Sequence, residues 1–334
     1  YLGDGLWTPG IRAGVVPGSE FHLTEYFAPV LGVMRVKTLE EAIEAVNEVD
    51  YGLTSGLHTL DTEELAMWLD GIEAGNLYVN RGITGAVVRR QPFGGWKRSA
   101  IGSTTKAGGP SYLLGLGEVE AAREAAVGES TMDTATLAPS VHALCHAASA
   151  HLSSDEVVEL GGAVANDAAA WARAYGVGRD VTAMACERNI LRYRPTPVLV
   201  RAASGTTLVD TVRVLAAGVL AGGPIGLSLA DALPASVADF LESLDIEVTV
   251  EDEASWDSRL SMVANSGGLG MRVRVLGPRE ESSEDRWERA SRASMGSPDL
   301  ALYTGAVTPC PHTELLPFLR EQAVAITNHR FGTP

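Results

Sequence analysis

Cysteine is scarce, with three in 334 residues, at Cys145, Cys186 and Cys310. They are too few and too scattered for a disulfide framework and read as reduced thiols in a core. Basic residues are also sparse, 26 Lys and Arg against 42 Asp and Glu, which leaves a formal net charge of -16. A general nucleic-acid or acidic-membrane partner needs a basic face, so neither is expected. No apolar run approaches a membrane span, and residues 1–20 lack the charged-then-apolar layout of a signal peptide. The expectation is a soluble, cytoplasmic protein. An initiator methionine is missing too, and Tyr1-Leu2-Gly3-Asp4-Gly5 reads as mid-fold, as in a fragment. Metal-ligand spacing is poor: His142, Cys145 and His146 share one helical face without a matching second pair, which points to a packed face rather than a metal site. Cys310-Pro311-His312 is read the same way.

What is present is ample apolar content, 46% of residues, enough for two domains of ordinary size. Residues 24–31 run into Gly32-Val33-Met34-Arg35-Val36, a strand by its alternation. Thr38 and Glu41 make a capping box for a helix carrying Ala42, Ile43, Ala45 and Val46. Residues 52–60 read as a buried strand. Asp61 or Thr62 then caps a helix over 63–73 with Leu65, Trp68, Leu69 and Ile72 on its apolar face. This strand–helix order suits a parallel α/β sheet. Residues 118–137 are small, polar and acidic, and read as a linker between a unit over 1–117 and a second over 138–334. The second unit predicts helices over 141–151 and 155–175, the latter capped by Ser153 or Ser154. It continues with strands at 197–200, 226–229, 246–250, 272–275 and 300–303, and helices at 208–220, 236–244, 255–263 and 284–293 between them. A doubly wound, Rossmann-like sheet is expected.

The stretch from Gly75 to Leu113 most needs a functional explanation. Asn76-Leu77-Tyr78-Val79-Asn80 reads as a strand, followed by a loop punctuated by Gly82, Gly85, Gly94, Gly95, Gly102, Gly108 and Gly109. Such a loop is either an ordinary surface excursion or a binding loop whose glycines let a ligand approach the backbone.

Gly75-Asn76-Leu77-Tyr78-Val79-Asn80, Gln91-Pro92-Phe93-Gly94-Gly95 and Lys106-Ala107-Gly108-Gly109-Pro110 resemble the end of an aldehyde dehydrogenase catalytic domain. The second and third are similar to L-glutamate γ-semialdehyde (Δ1-pyrroline-5-carboxylate) dehydrogenases, most of all the form fused behind a proline dehydrogenase in bifunctional proline utilization A flavoenzymes. The resemblance is specific over roughly 1–115 and looser beyond. It implies an α/β fold in which the end of such a catalytic domain is followed by a doubly wound, Rossmann-like domain of aldehyde dehydrogenase type.

The resemblance also implies roles. Glu25 and Phe27 fall on an E-x-F motif in which the carboxylate holds the nicotinamide ribose hydroxyls of NAD and the ring packs against the nicotinamide; Ala28 replaces the usual glycine. Gly85 and Ala86 match a pair whose backbone N–H groups anchor the substrate α-carboxylate, and Phe93 matches the aromatic that lies on its aliphatic chain. Lys97, Ser99 and Gly102 match a structural K-x-S-x-x-G closure, with Ala100 a departure. Arg89 and Arg90 either attract an anionic substrate or are solvated loop residues. The implied mechanism is thiolate attack, hydride transfer to NAD and thioester hydrolysis, with the cysteine well upstream of Glu25. None of the three cysteines lies there, so no catalytic residue is assigned and the chain alone is expected to be inactive. FAD would belong only to a preceding proline dehydrogenase domain. Expected partners are the semialdehyde, the upstream part of the same polypeptide and further copies in a homo-oligomer. In the second unit Arg201 stands where a cofactor lysine would be, without its glutamate, and the helix start at Thr206–Thr207 is an anion candidate. Residues 315–332 are similar to the family's terminal motif, a candidate lid over an internal tunnel. An aldehyde dehydrogenase of other specificity and a non-catalytic assembly module are the alternatives.

Overall fold

The computed structural model describes every residue except 1, 89, 104, 118–136, 181, 267–269 and 329–334. Most of the expected linker, Arg89 and the end of the terminal motif therefore lie outside the described residues. Strand β1 (Gly10–Ala13) and strand β2 (Val30–Val33) flank the short helix α1 (Glu20–Leu23) and pair in parallel, Gly10 opposite Val30, as an exposed two-stranded sheet. The expected strand at 32–36 thus begins and ends earlier and joins no larger sheet. Helix α2 (Leu39–Asn47) starts at Thr38, whose hydroxyl accepts from the Glu41 N–H at 3.3 Å; the Glu41 carboxylate reaches past it to the Lys37 N–H. Strands β3 (Tyr51–Gly52) and β4 (Thr54–Leu57) follow, then α3 (Thr62–Gly71), capped by Asp61, which accepts from the N–H groups of Glu63 and Glu64. Trp68 and Ile72 bury against Ile43 of α2 and against Leu77 and Val79 of β5 (Asn76–Val79), whose four residues are all buried. Strand β6 (Trp96–Lys97) pairs back onto β3.

Beyond residue 136, α4 (Pro139–Ser149) leads to α5 (Ser154–Ala170), whose Ser153 and Glu156 form a reciprocal capping box. Strands β7 (Arg179–Asp180), β8 (Glu187–Pro195) and β9 (Val198–Ala202) come next, then α6 (Leu208–Ala221), capped by Thr207 and ended by Gly222 at φ +75°. The chain continues through β10 (Ile225–Leu229), α7 (Ala235–Ser243), β11 (Glu247–Val250), α8 (Glu253–Asn265), β12 (Met271–Leu276), α9 (Ser283–Ala293), β13 (Leu300–Tyr303), α10 (Pro311–Glu314) and β14 (Leu319–Thr327).

Five of these strands make a parallel sheet in the order β11-β10-β9-β12-β13, with the order reversing at β9 and β12. Val198, Val200 and Ala202 of β9 join the core of α4, α5, α6 and α7, while the alternate Leu199 faces the α8–α9 cluster around Trp256 and Leu260. Helices on both faces make it the doubly wound arrangement expected from the sequence. Helix α6 is buried almost throughout, as an apolar helix packed between the sheet and α4 and α5 must be.

The other five-stranded sheet runs β4-β5-β14-β8-β7. Strand β14 pairs in parallel with β5, Ala323 opposite Asn76, and antiparallel with β8 over nine residues from Leu319–Pro195 to Thr327–Glu187. Its Leu319 and Ala323-Val324-Ala325 are buried. Within the closing segment, β14 is a central strand of this sheet, and its three consecutive apolar residues Ala323, Val324 and Ala325 are covered on both faces.

Candidate substrate-binding loop

Everything about the loop after β5 is arranged from that strand outward. Asn80 ends it at φ +57°, with its side-chain amide donating to Thr59 O at 2.8 Å and its Oδ1 accepting from Thr59 N at 3.0 Å, so the ends of β4 and β5 are clamped. Gly85 then takes φ +81°, and a Cβ there would meet nothing within 4 Å. The amides of Gly85 and Ala86 are exposed and, among the described residues, have no hydrogen-bond acceptor. Two successive exposed donors without an acceptor are suited to a carboxylate.

Gln91 holds this turn. Its Oε1 accepts from the Val87 N–H at 2.8 Å, and its own N–H donates to Val87 O at 3.0 Å. Its Nε2 donates to Asn189 Oδ1 at 2.6 Å and Glu187 Oε1 at 2.9 Å, both on β8; Glu187 also pairs with Arg81. Only 3% of Gln91 is exposed. Reading the sequence placed Gln91 in a motif and gave it no task, since its partners lie about a hundred residues away and leave no local trace.

Phe93 is fixed from both sides. The Asn76 side chain donates to Pro92 O at 3.0 Å and accepts from the Gly94 N–H at 3.1 Å, gripping the peptides on either side of the ring-bearing residue. Phe93 itself exchanges backbone bonds with Ala107 at 3.0 and 2.9 Å. Phe93 is 36% exposed. Beneath it Lys106, nearly sealed from solvent, donates from Nζ to Asn76 Oδ1 at 3.0 Å and to Gly94 O, while its backbone N–H donates to Glu321 Oε2 at 2.9 Å. Burial pushes the Lys106 ammonium down to about 7, partly opposed by the charge of Glu321. Lys97, at φ +51°, donates to Asn47 O and Val49 O and pairs with Glu73 at 2.8 Å; the Ser99 hydroxyl accepts from the Gly52 N–H at 3.2 Å. Both residues therefore close the loop, as expected.

Glu25 and Phe27 lie elsewhere, between α1 and β2. Phe27 takes φ +49° and is 94% exposed, an uncommon conformation and position for a bulky aromatic. With Val15, Phe21, Tyr26, Val30 and Met34 it lines a shallow cavity of about 240 Å³. No described residue of 85–93 lines that cavity. The Glu25 side chain is exposed.

In the second sheet the groups a cofactor would need are engaged by the protein. Arg201 donates to Ser228, Glu251 O and Glu253 and lies over Trp256. At the start of α6, Asp210 is held bidentately by Arg279 at 2.9 and 2.7 Å, and Gly205 packs on Pro278. That places a carboxylate in the first turn, where an anion would otherwise bind. Burial raises the Cys145 thiol to about 11. Among the described residues no group of three His, Cys, Asp or Glu side chains is arranged for a metal, and no helix is long and apolar enough to cross a membrane.

Residues 3–118 match the aldehyde dehydrogenase family model. Over 116 residues the chain is 41% identical to a 1-pyrroline-5-carboxylate dehydrogenase of Staphylococcus epidermidis, covering 35% of this chain and 22% of that protein. It is 42% identical over 106 residues to the same-named protein of Staphylococcus aureus strain JH1, 32% of this chain and 20% of that one. The structure of proline utilization A from Corynebacterium freiburgense aligns over 97% of this chain and 28% of its own, with TM-score 0.69 and 34% identity. The chain thus spans about a fifth of the curated relatives it matches.

Proposed function

We propose that this chain, whose residues 3–118 match the aldehyde dehydrogenase family model, supplies the substrate-carboxylate and nicotinamide contacts of an L-glutamate γ-semialdehyde (1-pyrroline-5-carboxylate) dehydrogenase of the proline utilization A type. The observation that carries the reading is the loop itself: amides at Gly85 and Ala86 that have no acceptor among the described residues, on a turn tied down by Gln91 and followed in the same loop by Phe93, whose flanking peptides Asn76 holds. The amide N–H groups donate to the substrate's α-carboxylate, and Phe93 covers its methylene chain. Binding the acid end by rigid backbone donors fixes the aldehyde carbon at the far end with little loss of side-chain entropy. The names of the relatives support this substrate.

NAD fits the residues present. Phe27, 94% exposed, is open to stacking by a planar ring, and the exposed Glu25 is open to two vicinal hydroxyls. When bound, NAD supplies the hydride acceptor. We assign the nucleophile to no cysteine of this chain: Cys145, Cys186 and Cys310 all follow residue 118, and Cys145 is held as the thiol. The chain by itself therefore reduces no NAD.

The test is amide NMR of the 334-residue chain titrated with L-glutamate, which carries the same acid group as the aldehyde. Shifts should centre on Gly85, Ala86 and the residues around Phe93, and Ala86→Pro, which removes one donor, should abolish them. Perturbation confined to other residues, or shifts that survive Ala86→Pro, would sink the assignment.

A further inference from the structure

Between the 94–117 stretch and the edge of the second sheet lies a crevice of about 1070 Å³, and two of its wall residues, Arg272 and Arg320, are guanidiniums without a carboxylate partner among the described residues. Arg320 begins β14 and lies over the Trp96 ring at 5.7 Å; Arg272 of β12 lies over Tyr303 at 5.7 Å. The carboxylates around them are engaged by other cations: Glu73 by Lys97 at 2.8 Å, Asp299 by Arg98 at 3.3 Å and Glu314 by Arg274 at 3.2 Å. Glu321 accepts from the Lys106 backbone, and Glu280 and Glu284 are exposed.

The remaining donors are specific atoms. Arg272 donates from Nη1 to Leu316 O, Pro317 O and Leu319 O, and Arg320 donates from Nη2 to Gly270 O at 2.9 Å. Nε and Nη2 of Arg272 and Nε and Nη1 of Arg320 have no acceptor among the described residues. They are not sealed, whereas Nε of Arg201 and of Arg259 are. Arg320 is pushed down to about 10, mainly by burial and further by the neighbouring charge of Arg272. An anion between them removes that repulsion and satisfies the open forks.

We propose that this crevice binds a small oxyanion bearing at least two negative charges, gripped by Arg272 and Arg320, with room beside Tyr303 and Trp287 for an attached organic group. Phosphoryl and carboxylate oxygens share the chemistry both forks read. The proposal does not depend on the dehydrogenase reading.

Calorimetric titration of the full chain at low ionic strength, with pyrophosphate in one arm and succinate in the other, tests it. Saturable binding of one anion per chain is expected in at least one arm. Pyrophosphate alone would identify a phosphate-ester site; succinate, alone or as well, would identify a site that also reads carboxylates. Arg320→Gln and Arg272→Gln should each weaken binding at least tenfold, while Arg194→Gln, which like its partner Asp70 lies outside the crevice, should leave it unchanged. Arg320→Lys keeps the charge and loses the fork, and should fall between wild type and Arg320→Gln, so the reading survives a poorly folded glutamine variant. No saturable binding in either arm, or equal affinity in the well-folded arginine variants, would overturn it.

Discussion

A Cβ on Gly75 would stand 2.0 Å from Gly94 O and 2.9 Å from Lys106 Nζ, so the backbone that carries Phe93 must move to admit it. Gly75→Ala is expected to destabilise the chain by about 1–3 kcal/mol, read as a lower denaturant midpoint at unchanged slope. An unchanged midpoint would mean that Gly94 does not pack on β5 in solution. Lys106 gives a second residue-scale prediction, with its sign set by linkage. Its folded value is lowered from 10.5 to about 7, so between these limits the unfolded chain binds more protons than the folded one. Stability relative to Lys106→Met should therefore rise with pH across that window, by up to about 1.4 kcal/mol per unit, the penalty being fully present below pH 7. Parallel urea titrations of both proteins check this; a flat difference would show that Lys106 keeps its ordinary value. At this scale the caps were legible, because Thr38, Asp61, Ser153 and Thr207 act within three residues of themselves. Gln91, Asn76 and Lys106 were not, since what they hold lies far along the chain.

Elements follow the same division. The alternation from β9 to β13 was readable because each βα unit has its own local periodicities of two and 3.6. Strand β8, Glu-Arg-Asn-Ile-Leu-Arg-Tyr-Arg-Pro, escaped notice: its polar residues engage neighbouring elements, as when Arg192 donates to Gln322 at 2.8 Å. The helix layer also carries a buried ion pair that spacing alone does not reveal. Arg213 of α6 grips Asp167 of α5 at 2.5 and 2.9 Å and donates to Thr308 O at 3.1 Å. Burial raises the Asp167 carboxyl to about 6 despite the guanidinium beside it. Asp167→Ala strands a buried cation and is expected to cost about 3–5 kcal/mol, whereas Asp167→Leu with Arg213→Met should recover most of that loss. Calorimetric or urea unfolding of the three proteins decides it; a double variant as weak as the single one would mean that the pair itself supplies the stability.

On the scale of the whole molecule, β14 makes the two halves interdependent. It is separated from β5 by some 240 residues of sequence yet pairs with it from Asn76–Ala323 to Val79–Ile326, and on its other edge with β8. The Gln322 side chain donates to Ala74 O at 2.8 Å, and Trp96 Nε1 donates to Glu321 O at 2.9 Å, so β14 and the segments flanking β5 are stitched together. Residues 1–117 taken alone would leave one edge of β5 unpaired and Leu77, Tyr78 and Val79 short of the cover that Val324 and its neighbours give. Unpaired backbone groups and uncovered apolar side chains each disfavour the folded state, and both fall here on the strand that anchors the loop. Expressed by itself, the 1–117 stretch should therefore show a collapsed amide spectrum and bind a hydrophobic dye. The full chain, in contrast, should lose β5 and β14 amide protection together in hydrogen exchange, because neither strand is buried without the other. A well-dispersed spectrum from 1–117, with β5 protected as strongly as in the full chain, would refute this coupling and make the strand exchange between halves an accessory to a unit that is already stable.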